Sequence, residues 1–142
     1  MELTTFGSLL RYAISLERRA GETYGELAAR ASPPMAEEYL RYVREYSRRL
    51  RLLEETQRNI NEVLLEPISR LDSDRYAFNV GCVADARAML DAALDVEAKV
   101  EAFYRDSLQA AGTVLGDAGR VFRRLCEENG ERRRVLSSMR AS

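Results

Sequence analysis

Apolar side chains recur at spacings of three and four through Leu10, Ala13, Ile14, Ala20, Tyr24 and Leu27, which predicts an amphipathic helix from Thr5 or Gly7 to Ala31. Glu17 falls on the same face and interrupts it. Ser32-Pro33-Pro34 then supplies a cap and a proline for the start of a second helix, with Glu37 and Glu38 in its first turn. Nothing breaks that helix before Pro67, so it is expected to run from Pro33 to Glu66. So short a connection makes the two helices antiparallel neighbours. From Pro67 to Cys82 the periodicity lapses and Pro, Ser, Asp, Asn and Gly accumulate, which marks a long connection without strand signals. A third helix is expected over Val83–Ala111 and a fourth from Gly116 or Asp117 to Met139, joined through Gly112–Gly116. The order short link, long link, short link predicts an all-α, antiparallel four-helix bundle with one long crossover, forming a single domain over residues 1–142. An extended crossover of this length reaches ~50 Å, enough to travel the length of such a bundle.

The pattern also repeats. A shift of 80 positions lays Leu10 on Leu90, Ala13 on Ala93, Ile14 on Leu94, Glu17 on Glu97 and Tyr24 on Tyr104. A shift of 83 lays Tyr39 on Phe122, Glu45 on Glu128, Arg49 on Arg132 and Leu53 on Leu136. The chain therefore reads as a duplicated helix pair. Glu17 and Glu97 occupy core-facing positions, where a carboxylate is costly unless it is paired, protonated or bound to a cation. Under a pseudo-twofold they meet at mid-bundle, with Glu45 and Glu128 supplied by the other two helices.

Composition narrows the chemistry. The chain contains no histidine, which removes imidazole-based triads, zinc sites and acid/base catalysis. Formal charge is −1 and the basic residues are dispersed, so no nucleic-acid footprint stands out. No apolar run approaches the ~20 residues of a membrane span, and the N-terminus lacks a signal-peptide layout, so a cytoplasmic protein is expected. Cys82 and Cys126 are isolated and are expected to be reduced thiols.

The segments Tyr12-Ala-Ile-Ser-Leu-Glu17-Arg-Arg-Ala-Gly-Glu-Thr-Tyr24 and Ala93-Leu-Asp-Val-Glu97-Ala-Lys-Val-Glu-Ala-Phe103-Tyr104 resemble the first and third helices of the rubrerythrin branch of the ferritin-like superfamily. In that superfamily a Glu from each of two helices and Glu-x-x-His from the other two hold a pair of metal ions. Here the second and fourth helices carry Glu45-Tyr-Ser-Arg48 and Glu128-Asn-Gly-Glu131, so both histidines are replaced. The resemblance implies the bundle, a homodimer, tyrosines (Tyr24, Tyr104) near the centre, and iron or manganese as the cofactor if any is bound. Paired C-x-x-C motifs, which rubrerythrins proper use for a small iron domain, are missing.

The residues leave the centre open between readings. In one, Glu17, Glu45, Glu97, Glu128 and Glu131 hold iron or manganese for oxidation of the metal or reduction of oxygen or peroxide, since hard oxygen ligands suit both ions. In another, Arg48, whose guanidinium has no free lone pair, takes the place of a metal and ties the carboxylates together. The protein is then a non-catalytic scaffold for self-association or a partner protein. In the plainest, Glu45, Arg48 and Glu131 lie on solvated faces and only Glu17 and Glu97 are buried.

Overall fold

The computed structural model describes residues 1–59, 66–81 and 83–142, and for residues 113 and 114 the backbone alone. Among the described residues the chain forms β1 (Glu2–Thr5), α1 (Phe6–Arg30), α2 (Met35–Asn59), β2 (Pro67–Asp72), α3 (Ala86–Ala111) and α4 (Asp117–Ala141), with single 3₁₀ turns at Ser73–Tyr76 and Gly112–Leu115. This is the expected all-α four-helix bundle with one long crossover. None of the described helices is long and apolar enough to cross a membrane.

Local chemistry sets the helix ends. Thr5 caps α1 by accepting from the Ser8 amide at 3.1 Å, while the Ser8 hydroxyl accepts from the Thr5 amide at 3.0 Å. That reciprocal arrangement satisfies two donors that a helix start otherwise leaves open. Asp85 caps α3 through the Ala88 amide at 2.8 Å, and this is why α3 begins at Ala86 rather than Val83. α3 ends where Gly112 takes a positive φ of 55°, a conformation that carries little penalty only for glycine. The described part of α2 ends at Asn59, and residues 60–65 of its expected extension lie outside the described residues. Glu66, the expected last residue of that helix, is not helical; its carbonyl accepts from the Phe6 amide at 3.0 Å.

The two strands are the main departure from the expected architecture. β1 and β2 pair antiparallel, with Glu2 opposite Asp72, Leu3 opposite Leu71 and Thr5 opposite Pro67. Leu3 is fully buried beneath this ribbon. The crossover is therefore tied to the chain's first residues, and it is pinned again by side chains. The Tyr12 hydroxyl donates to the Ser73 carbonyl at 3.0 Å and the Tyr76 hydroxyl to Asp106 at 2.7 Å. Rings of Tyr12 and Tyr76 both pack edge-on to Phe103, at 5.2 and 5.4 Å.

The helices pack as two hairpins, α1 with α2 and α3 with α4, and the hairpins meet through α1 on α3 and α2 on α4. Both cross-hairpin contacts are antiparallel. Tyr104 of α3 reaches Glu17 while Glu97, two turns earlier, receives Tyr24 of α1; likewise Arg49 of α2 reaches Glu128 while Arg132 reaches back to Glu45. α1 and α3 bury broad faces, because the crossover covers part of them. α2 and α4 bury narrow seams: Tyr39, Tyr42, Arg49, Leu53 and Thr56 on one, and Ala118, Phe122, Leu125, Asn129, Arg132 and Leu136 on the other. The spacing of three and four along those seams is that of a bundle interface.

Candidate functional site: a carboxylate and guanidinium centre

Glu17 on α1 and Glu97 on α3 are both buried at mid-bundle. A buried carboxylate needs donors, and each finds them on two other helices. Arg49, itself buried on α2, places Nε 3.0 Å from one Glu17 oxygen and Nη2 2.7 Å from the other. This is the forked, two-bond geometry in which guanidinium and carboxylate match best. The Tyr104 hydroxyl, from the other hairpin, donates to Glu17 at 2.6 Å.

The pseudo-twofold partner site is built from the repeat-related residues. Arg132 on α4 places Nη1 3.5 Å from Glu97, and the Tyr24 hydroxyl donates to Glu97 at 2.5 Å. Each tyrosine thus serves the carboxylate of the opposite hairpin. Asn129 joins the sites: its amide donates to Glu97 at 2.7 Å, and its carbonyl oxygen accepts from Arg49 at 2.9 Å.

Glu45 and Glu128 stand at the rim of the centre, half-buried. Arg132 Nη2 donates to Glu45 at 2.7 Å, and Arg49 Nη1 lies 3.2 Å from Glu128. Each central arginine therefore bridges two carboxylates carried by opposite hairpins. Surface arginines complete the rim, with Arg41 on Glu45 and both Arg48 and Arg124 on Glu128. Aromatic faces close over the guanidinium groups: Arg132 sits 4.4 Å from the centre of the Tyr42 ring and Arg49 6.0 Å from that of Tyr104.

Protonation follows from these contacts. Burial pushes the Glu17 carboxyl up, but the charge and hydrogen bonds of Arg49, helped by Tyr104 and Arg132, outweigh it and hold the group below the usual range. Burial likewise acts on Arg49 against its charge, and Glu17 outweighs it, so the guanidinium is held more firmly protonated than usual. Glu128 is also lowered; burial opposes this, but Arg48 and Arg49 prevail. Burial, then the adjacent carboxylate, drives both tyrosines well above the ordinary phenol value, Tyr24 beside Glu97 and Tyr104 beside Glu17. The phenols are donors and stay so.

Of the residues expected at the centre, Glu17, Glu97, Tyr24 and Tyr104 lie there, and Glu45 and Glu128 flank it. Two expectations are corrected. Arg48 is not the central cation: its side chain is 37% exposed and, among the described residues, its ion pair is with the rim carboxylate Glu128. Glu131 is 58% exposed and pairs with Arg134 one turn along its own helix. The physical reason is helix phase, since the buried seams pass through Arg49, Asn129 and Arg132, about 100° around from Arg48 and Glu131. The repeat had signalled this, because Arg49 and Arg132 are the basic pair that it superimposes. Among the described residues no three carboxylate or thiol groups come together as a set that could hold a metal ion. Cys126 is a free thiol, half-buried, with Sγ 3.6 Å from the Glu101 carbonyl oxygen, and Cys82 lies outside the described residues.

No protein-family model matches the chain, and no curated protein or solved structure matches it.

Proposed function

We propose that this protein is a ferritin-like, rubrerythrin-related bundle in which two buried guanidinium groups stand where a metal pair would sit. It then binds metal weakly or not at all and acts as a scaffold or self-association module rather than an enzyme. The observation that carries this reading is the bridging of Glu17 and Glu128 by Arg49, and of Glu97 and Glu45 by Arg132.

The donor set does not suit a pair of divalent ions. Both oxygens of Glu17 and of Glu97 already accept hydrogen bonds from side chains. A metal ion entering between them must expel a guanidinium that stays buried, and an uncompensated buried charge costs several kcal/mol. Arginine cannot become a ligand instead, because it remains protonated and offers no lone pair. The role left to the centre is register. Donor and acceptor positions on four helices have to coincide, which a slipped or rotated helix cannot satisfy, and buried polar networks serve that purpose in helical assemblies.

The test is elemental analysis of tag-free protein, before and after anaerobic incubation with ferrous iron and desalting, repeated with manganese. The expected result is metal far below one equivalent per chain. Near-stoichiometric metal that is retained by the wild type and lost in Glu97→Ala would replace this reading with that of an iron or manganese oxidoreductase, and oxygen and peroxide turnover would be measured next.

A further inference from the structure

The outer face of α2 near its start carries an unusual arrangement of charge around the one large apolar side chain, beyond the terminal Met1, that stands exposed among the described residues. Leu40 is 44% exposed. Glu37 and Arg44, three residues before it and four after, share its face of the helix. Both are exposed, and neither has an ion-pair partner among the described residues. Their neighbours Glu38 and Arg41 are already paired with each other. Glu37, Leu40 and Arg44 line an open groove of about 510 Å³ together with Pro34, the paired Glu38 and Arg41, and Met139 near the end of α4.

We propose that this groove is the contact between two copies of the chain. The occupant is a second α2 crossing antiparallel, with the twofold axis passing beside Leu40 and Arg41. The argument is one of symmetry and charge. A twofold contact brings the same patch together with itself, so a patch suits it only if it is self-complementary. An axis midway along the stretch from Glu37 to Arg44 sets each Glu37 opposite the Arg44 of the other copy, twice over. It also sets the exposed Leu40 of each copy beside its counterpart across the axis, where each covers the other. Two unpaired opposite charges, three residues before an exposed leucine and four after it, meet the requirement, whereas a single-signed patch would repel its copy. The contact is small, and it belongs to the low end of specific interfaces. The association is accordingly weak, dependent on concentration, and reduced by salt because its charges stay at the rim.

This inference rests on the reading of the protein as a self-association module, yet its test does not depend on metal content. Sedimentation equilibrium over a range of concentrations is measured for the wild type, for Glu37→Arg, for Arg44→Glu and for an equimolar mixture of those two variants. The wild type is expected to show a reversible monomer–dimer equilibrium. Each single variant sets like charges face to face and is expected to weaken the dimer about tenfold or more. The mixture restores both opposite-charge pairs in a heterodimer, and wild-type affinity returns. All of these positions are surface positions, and circular dichroism checks that the fold is kept. A wild type that stays monomeric overturns the proposal and leaves the metal measurement to decide the centre separately. A dimer indifferent to both variants places its interface elsewhere and overturns it as well, as do two weakened variants whose mixture regains nothing.

Discussion

The two hairpins carry the same design and complete it unequally. In the first, Glu17 is held by a forked Arg49 at 3.0 and 2.7 Å. In the second, Arg132 approaches Glu97 with one nitrogen at 3.5 Å, its Nε meets no acceptor among the described residues, and Asn129 supplies the nearer bond at 2.7 Å. The difference traces to a pair of positions the repeat relates. Where the second hairpin has Asn129, the first has Tyr46, and where the first has Gly21, the second has Glu101. Tyr46 packs so tightly over Gly21 that a Cβ there would lie 2.8 Å from its ring. In the second hairpin the space is reversed: Glu101 occupies the glycine's place, and Gly130 gives it room, since a Cβ at Gly130 would meet a Glu101 oxygen at 2.8 Å. Removing the bulk of Tyr46 from that position frees Asn129 to turn inward and span both sites. A duplicated buried charge has therefore been satisfied once by a strong pair and once by a shared network.

The largest expected consequence is for the strong pair. Arg49→Met leaves Glu17 buried without its cation and is expected to lower stability by about 3–5 kcal/mol in urea unfolding. Arg132→Met is expected to cost less, about 1–3 kcal/mol, because Tyr24 and Asn129 still serve Glu97. Equal losses would show that the hairpins do not differ as described.

Acid sharpens the same contrast. The lowered carboxyls of Glu17 and Glu128 contribute stability that is complete above the unfolded carboxylate value of ~4.3 and is lost as pH falls through their folded values. Wild-type stability is thus expected to fall with acidification in that range. In Arg49→Met burial acts on Glu17 without its main opponent, its folded value rises above the unfolded one, and that group's contribution changes sign. Stability in this variant should then improve as pH falls from the raised value towards ~4.3, measured as urea midpoints between neutral and mildly acidic pH.

Smaller effects separate hydroxyl from packing. Tyr104→Phe and Tyr24→Phe each remove a donor from a buried carboxylate while leaving the ring stack in place, at an expected cost of about 1.5–3 kcal/mol apiece. Gly21→Ala pushes against the Tyr46 ring and should cost about 1–3 kcal/mol. Its repeat partner offers a milder case: Glu101→Ala removes ion pairs with the exposed Arg105 and Arg133 together with the packing of its side chain against Gly130, at an expected cost of about 1 kcal/mol.

The four helices were legible because their apolar periodicity and the Pro- and Gly-containing breaks between them agree, and Glu17 and Glu97 because they interrupt otherwise apolar faces. The strands were not, since β1 is only four residues long and buries one of them, Leu3, fully, while β2 begins with a proline. What holds them is pairing between chain positions far apart, which no local pattern records. The central cations were misplaced by a single residue on α2. Reading Glu45 with the residue three positions on selects Arg48, whereas the seam through Tyr39, Tyr42 and Leu53 passes through Arg49. On α4 the same phase selects Asn129 and Arg132 over Glu131. Periodicity of the whole helix located the centre better than the spacing of a short motif, because packing is decided over several turns and a motif spans one.

The central claim is that Arg49 and Glu17 form a closed buried pair, and a double-mutant cycle with Glu17→Leu, Arg49→Met and their combination measures it most directly in urea. If the pair is as described, the double variant is less destabilised than Arg49→Met alone, with a coupling of about 2 kcal/mol or more, because replacing both partners removes the stranded charge. Additive losses, agreeing within about 0.5 kcal/mol, would contradict it.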